Sequence, residues 1–146
     1  MALLRQLLSR EKPHVRIAVR RDFDTRAAET RPGGPGIPAL VIEVANGGPG
    51  PVGIAFPVCL LLPTGDTVPL TNRALYQYWP ADGRLFAQET FRVYVPRHEW
   101  GLYAGTLERR GFEVLVVDVA GGEHRASVSP AIQRWLEDYR PGHRSR

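Results

Sequence analysis

The sequence predicts an all-β fold, an antiparallel sandwich of about seven strands, on three observations. From Pro38 to Leu62 the chain reads PALVIEVANGGPGPVGIAFPVCLLL, in which Leu40, Ile42 and Val44 alternate with Val41, Glu43 and Ala45. That is the period of a strand with one buried face. Asn46 to Pro51 is almost wholly Asn, Gly and Pro, so the chain turns there, and Val52, Ile54 and Phe56 resume the alternation before the apolar run Val58 to Leu62. The two runs read as a hairpin or as a pair that crosses between sheets. Finally, 15 glycines and 13 prolines in 146 residues favour many turns and therefore short strands.

Length and composition bound the rest. A chain of 146 residues is one domain that buries roughly 68–70% of its unfolded surface. With 43% hydrophobic and 23% charged residues it has the balance of a folded globular protein. Cys59 is the single cysteine, so an internal disulfide framework is excluded. MALLRQLLSREKP lacks the apolar length and small-residue cleavage site of a signal peptide, and no run reaches the ~20 apolar residues that span a bilayer, so a cytoplasmic location is expected. The formal charge of +4 is unevenly placed: residues 1–36 carry eight basic and four acidic side chains, residues 37–130 seven and nine, and residues 131–146 four and two. The basic excess belongs to the two ends.

In chain order, Leu3, Leu4, Leu7 and Leu8 form one stripe of a short basic amphipathic helix over 2–9, which Pro13 ends. Such a helix docks on a partner or an anionic membrane, or covers an edge of the protein's own sheet; a helix this short needs something to pack on. Val15, Ile17 and Val19 alternate with Arg16, Ala18 and Arg20, the pattern of an edge strand. A charged and Gly/Pro-rich loop comes next, from Asp22 to Pro38. Pro63 to Asp66 makes a turn after which Val68 to Leu70 pairs back. The connection Thr71 to Gly83 contains Tyr76, Tyr78 and Trp79, which form either a sticky patch or a plug for the open end of the sandwich. Phe91, Val93 and Val95 point inward from the next strand, and Trp100, Tyr103, Ala104 and Leu107 give a short helix over 97–110 with Gly111 as its C-cap. Phe112 to Val119 is a strand, Gly121-Gly122 a turn and Arg125 to Ser129 the last strand. Ser129-Pro130 caps a closing helix over 130–140 whose stripe is Ile132, Trp135, Leu136 and Tyr139. The organisation expected is an arm (1–13), a sandwich (14–129), a closing helix (130–140) and a mobile tail (141–146).

Motifs for chemistry are sparse. Gly48-Pro49-Gly50-Pro51-Val52-Gly53 matches G-x-G-x-x-G, but its prolines offer no N–H and a strand comes after it where a pyrophosphate site needs a helix N-terminus. His14, His98, His124 and His143 lack metal-ligand spacing, and His98-Glu99 reads as a solvated pair. Cys59 among Pro57, Val58, Leu60 and Leu61 reads as an inert buried thiol. Asp118 in VLVVDVA is either a buried carboxylate with a raised pKa or, more simply, a cap on the Gly121-Gly122 turn. No catalytic residue, cofactor site or metal site is expected.

Val44-Ala45-Asn46-Gly47-Gly48-Pro49-Gly50-Pro51-Val52 resembles the V-x-N-x-G-x-x-P-V turn of many small bacterial immunoglobulin-like β-sandwich proteins. Val117 to Ser127 is similar to the hairpin that such domains place before their last strand, and the Leu- and Arg-rich lead-in is similar too. The resemblance spans about residues 14–129, implies an Ig-like sandwich and transfers no catalytic residue. The function expected is a non-enzymatic protein-interaction or structural module, alone or in a larger assembly such as a phage particle, that binds another protein or itself. Its contact residues would be Leu3, Leu4, Leu7, Leu8, Tyr76, Tyr78 and Trp79. The alternatives are peripheral binding of nucleic acid or anionic membrane through the basic ends, and an enzyme of unrecognised type.

Overall fold

The computed structural model describes residues 14–26, 34, 36–104 and 111–139. Nine strands form two antiparallel sheets: β1 (Val15–Asp24), β2 (Ile37–Asn46), β3 (Val52–Leu61), β4 (Thr67–Pro69), β5 (Tyr76–Gln77), β6 (Arg84–Leu85), β7 (Thr90–Pro96), β8 (Glu113–Asp118) and β9 (Glu123–Ser127). One sheet has the order β1-β2-β7-β5 and the other β4-β3-β8-β9, with β6 paired to the first residues of β3. This is the arrangement of an Ig-like sandwich, with β1, β2, β7 and β5 in the places of strands A, B, E and D and β3, β8 and β9 in those of C, F and G. The turn after Asn46 therefore carries the chain from one sheet to the other: β2 pairs with β1 and β7, and β3 pairs with β8. The edge strands β1 and β9 meet and close one side.

The alternation read from the sequence is what fills the space between the sheets. Leu40, Ile42 and Val44 of β2, Ile54, Val58 and Leu60 of β3, Phe91, Val93 and Val95 of β7 and Val114 and Val116 of β8 are all at most 3% exposed. Each such side chain contributes about 1.5–3 kcal/mol by leaving water. Val41 is equally buried on the outer face, where it clusters with Ala39 and Tyr94. β1 extends beyond Arg20: its ladder with β2 continues to Asp24 opposite Ile37, so backbone pairing holds where the apolar alternation has stopped. Ladder pairing between β3 and β8 lapses between Ala55 and Cys59, at Phe56-Pro57, where proline lacks an N–H to donate.

Helices close the end of the sandwich at which β7 leaves and β8 enters. A 3-10 turn over Arg97–Glu99 runs into α1 (Trp100–Ala104), and buried Trp100 packs on Phe112 with ring centroids 5.2 Å apart. The expected continuation of this helix to 110, with Leu107, lies outside the described residues, but Gly111 has the positive φ (79°) of the anticipated cap. α2 (Pro130–Glu137) starts as anticipated, with Ser129 Oγ accepting from the Ile132 N–H at 3.2 Å, and buries Leu136. Arg97 locks α2 in place: its Nε donates to the Trp135 carbonyl at 2.8 Å and its guanidinium lies 4.7 Å from the Trp135 ring centroid. The helix expected over 2–9, the tail 141–146 and His143 lie outside the described residues.

Candidate interaction end of the sandwich

The opposite end of the molecule is formed by the turns from β2 to β3, from β6 to β7 and from β8 to β9. Two buried polar side chains build it. Asn46 is fully buried, and its Nδ2 donates to the carbonyls of Gly50 (2.7 Å) and Leu85 (2.9 Å) while its Oδ1 accepts from the Gly48 N–H (2.9 Å). Its backbone N–H donates to the Glu89 carbonyl and its carbonyl accepts from the Gln88 N–H. One residue thus fastens the β2–β3 turn to the segment before β7.

Asp118, 3% exposed, does the same for the β8–β9 turn. Its Oδ1 accepts from the N–H groups of Ala120 (2.9 Å) and Gly122 (3.0 Å), and its Oδ2 lies 2.8 Å from His124 Nε2. Burial by itself would raise the carboxyl's pKa, but the hydrogen bonds from His124, Gly122 and Ala120 outweigh it and hold the group below the ordinary carboxylate value. The carboxylate is therefore both buried and the cap of its turn. Of the two readings the simpler one, the turn cap, holds, and the raised pKa of the other does not, because three donors stabilise the ionised form.

The run Tyr76 to Trp79 divides. Tyr76 faces the core, half-buried against Phe56, Trp79 and Phe91 with ring centroids 5.0, 5.5 and 6.4 Å away. Its hydroxyl accepts from the Val58 N–H at 3.0 Å and donates to the Leu70 carbonyl at 2.7 Å, and burial pushes its pKa well above the ordinary phenol range. Tyr78 then adopts a left-handed backbone (φ 64°), which leaves its own ring outside at 68% exposed. Trp79 turns back inward, edge-on to Phe91 at 4.8 Å. Tyr76 and Trp79 are thus packing residues, and Tyr78 alone of the three stands free in solvent. Leu3, Leu4, Leu7 and Leu8 lie outside the described residues.

Two further exposed apolar side chains share this end, Phe86 (47%) and Val119 (73%), and sequence reasoning misses both. Phe86 opens a tight turn in which its N–H donates to Glu89 Oε1 (2.7 Å), its carbonyl accepts from the Glu89 N–H (3.0 Å) and Gln88 is left-handed (φ 67°). Val119 donates to the Gly53 carbonyl, and Gly53 pairs with Arg84 of β6, so these loops are contiguous. A side chain at Gly53 would run into Val119. Tyr78, Pro80, Asp82, Arg84, Phe86 and Glu89 are among the residues that line a concavity of about 360 Å³. Phe86 sits between Leu85 and Ala87 in a run too short to show a period, and Val119 looks like the end of a strand, so neither carries a periodic signal of exposure.

Elsewhere, Cys59 is half-buried with its Sγ 3.7 Å from the Pro57 carbonyl, and burial pushes its thiol pKa up. His98 and Glu99 form an exposed pair at 3.3 Å. Among the described residues no three His, Cys, Asp or Glu side chains come together as a metal site would require. No described helix is long and apolar enough to cross a membrane. No family model matches the chain, and no curated protein matches it.

Proposed function

We propose that this protein is a non-enzymatic interaction module that engages a partner protein through the loop end of its sandwich. One observation carries the reading: three of the five large apolar side chains exposed in the described structure, Tyr78, Phe86 and Val119, gather at the end whose loops Asn46 and Asp118 hold rigid. Clustered exposed apolar groups mark contact surfaces, and rigid loops bind without a large ordering cost. The same end of an Ig-type sandwich carries recognition loops in variable domains, which supports the reading by analogy.

The sheet edges support it by elimination. β4 is three residues long and ends in Pro69, the Tyr76 carbonyl of β5 accepts from Arg26 Nη1 at 3.1 Å, and β1 and β9 meet each other. Edges guarded in these ways resist strand addition. Binding through phosphate is a weaker reading, because among the described residues ten arginines face twelve carboxylates and the positive excess lies outside them. A larger assembly, such as a phage particle, would suit a module of this kind.

The test is capture from the source organism's lysate by the full chain, in parallel with a Tyr78→Ala/Phe86→Ala variant and a control changed at exposed Leu102 of α1. Wild type and control should recover one protein in near-equal amount through a high-salt wash, and the double variant should lose it while keeping its thermal midpoint. Recovery unaffected by the double change, or nucleic acid that washes off with salt, would defeat the proposal.

A further inference from the structure

The concavity at the loop end has a chemistry narrower than apolar contact, and a ligand class assigned to it rests on the interaction reading above. Two arginines of this protein lie against an aromatic ring with a carboxylate beside them. Arg26 lies 4.5 Å from the Tyr94 ring centroid while its Nε and Nη2 donate to Asp24 at 2.9 and 2.8 Å. Arg84 lies 5.7 Å from the Phe86 centroid and its Nε donates to Asp82 at 3.1 Å. In each case the ring face attracts the cation and the carboxylate fixes its orientation.

The concavity offers a further ring and a further carboxylate, with no arginine among the described residues paired to either. Glu89 lines the concavity together with Tyr78. One Glu89 oxygen accepts the Phe86 N–H at 2.7 Å, and no cationic side chain among the described residues pairs with the carboxylate. Tyr78 is 68% exposed, and Arg84 is already held by Asp82. Among the described residues, the charged groups that line the site are two carboxylates and one arginine, a net negative set beside an aromatic wall. A volume of about 360 Å³ is at the low end for a ligand pocket and suits one long side chain with its flanking backbone.

We infer that this concavity receives the side chain of an arginine on the partner polypeptide, with its guanidinium on the Tyr78 ring and its charge met by Glu89. Arginine is favoured over lysine because its planar group both stacks on a ring and hydrogen-bonds a carboxylate in a fixed fork.

The experiment titrates the isotope-labelled full chain with N-acetyl-arginine amide and with its neutral isostere N-acetyl-citrulline amide, and follows backbone amide shifts by NMR. Arginine amide should shift residues between 78 and 89 and bind at least about fivefold more tightly than citrulline amide, the ratio that roughly 1 kcal/mol of cation–π and charge attraction gives. Glu89→Gln, which keeps an oxygen for the Phe86 N–H and leaves the Tyr78 ring in place, should weaken that preference without moving the thermal midpoint. Equal binding of the two probes, or shifts confined to other parts of the chain, would overturn the inference. If Tyr78→Ala/Phe86→Ala abolishes capture from lysate and Glu89→Gln leaves it intact, the arginine is wrong and the interaction surface stands.

Discussion

Replacing Asn46 by alanine removes three side-chain hydrogen bonds from a fully buried site and leaves Gly48 N–H and the carbonyls of Gly50 and Leu85 short of a partner. We predict a loss of about 3 kcal/mol in urea unfolding, with no change in the denaturant slope. Asp118 makes a pH-dependent contribution whose sign comes from its depressed pKa. The unfolded carboxyl titrates near pH 3.9, so the stabilisation is complete above that value and is lost as pH falls through the lower folded value. Asp24, depressed chiefly by its hydrogen bond from Arg26, acts in the same sense. The thermal midpoint should therefore drop below about pH 4, and Asp118→Asn should lower stability at neutral pH by about 1–3 kcal/mol while flattening that acid limb. An acid limb unchanged in the variant would contradict this assignment. The role of Asp118 as the buried cap of its turn is legible in the sequence, whereas that of Asn46 is not, because Asn46 looks like an ordinary turn residue until its loops are folded onto it.

At the scale of elements, the segment after β5 shows a local cost kept in place. A left-handed backbone is unfavourable for tyrosine and easy for glycine. At Tyr78 it puts one ring in solvent while Trp79 returns to the core. Tyr78→Gly should consequently fold with a thermal midpoint equal to or above wild type, yet lose the captured partner. A clear loss of stability would show that the ring is structural. Strands with strong alternation, β2, β3, β7 and β8, are legible because their inward residues face a continuous core. The two-residue strand β6 is not, since Arg84-Leu85 is too short to show a period. Alternation alone leaves open whether β2 and β3 form a hairpin or cross between sheets, because both arrangements demand the same pattern. Pairing partners decide it, and those are set by distant residues such as Leu85, whose carbonyl Asn46 holds.

For the whole molecule, the two ends of the sandwich differ in kind. One is closed by Trp100, Phe112, Leu136 and the Arg97–Trp135 lock, and it serves packing. The other is polar in its supports and apolar at its tips, and we assign it to recognition. The sequence singles out Tyr78 as a contact candidate but groups it with Tyr76 and Trp79, whose rings are packed; spacing along a chain does not reveal a backbone reversal at a single residue. Phe86, Val119 and Glu89 join Tyr78 only through the sheet topology. Photo-crosslinking tests this assignment most directly. A photoreactive phenylalanine analogue is placed in the full chain at Tyr78, at Phe86, at Leu102 or at Phe23, and each variant is irradiated in cells of the source organism. The account predicts one common crosslinked protein from positions 78 and 86 and none from 102 or 23. The same product from all four positions, or a product from 102 or 23 alone, would contradict it.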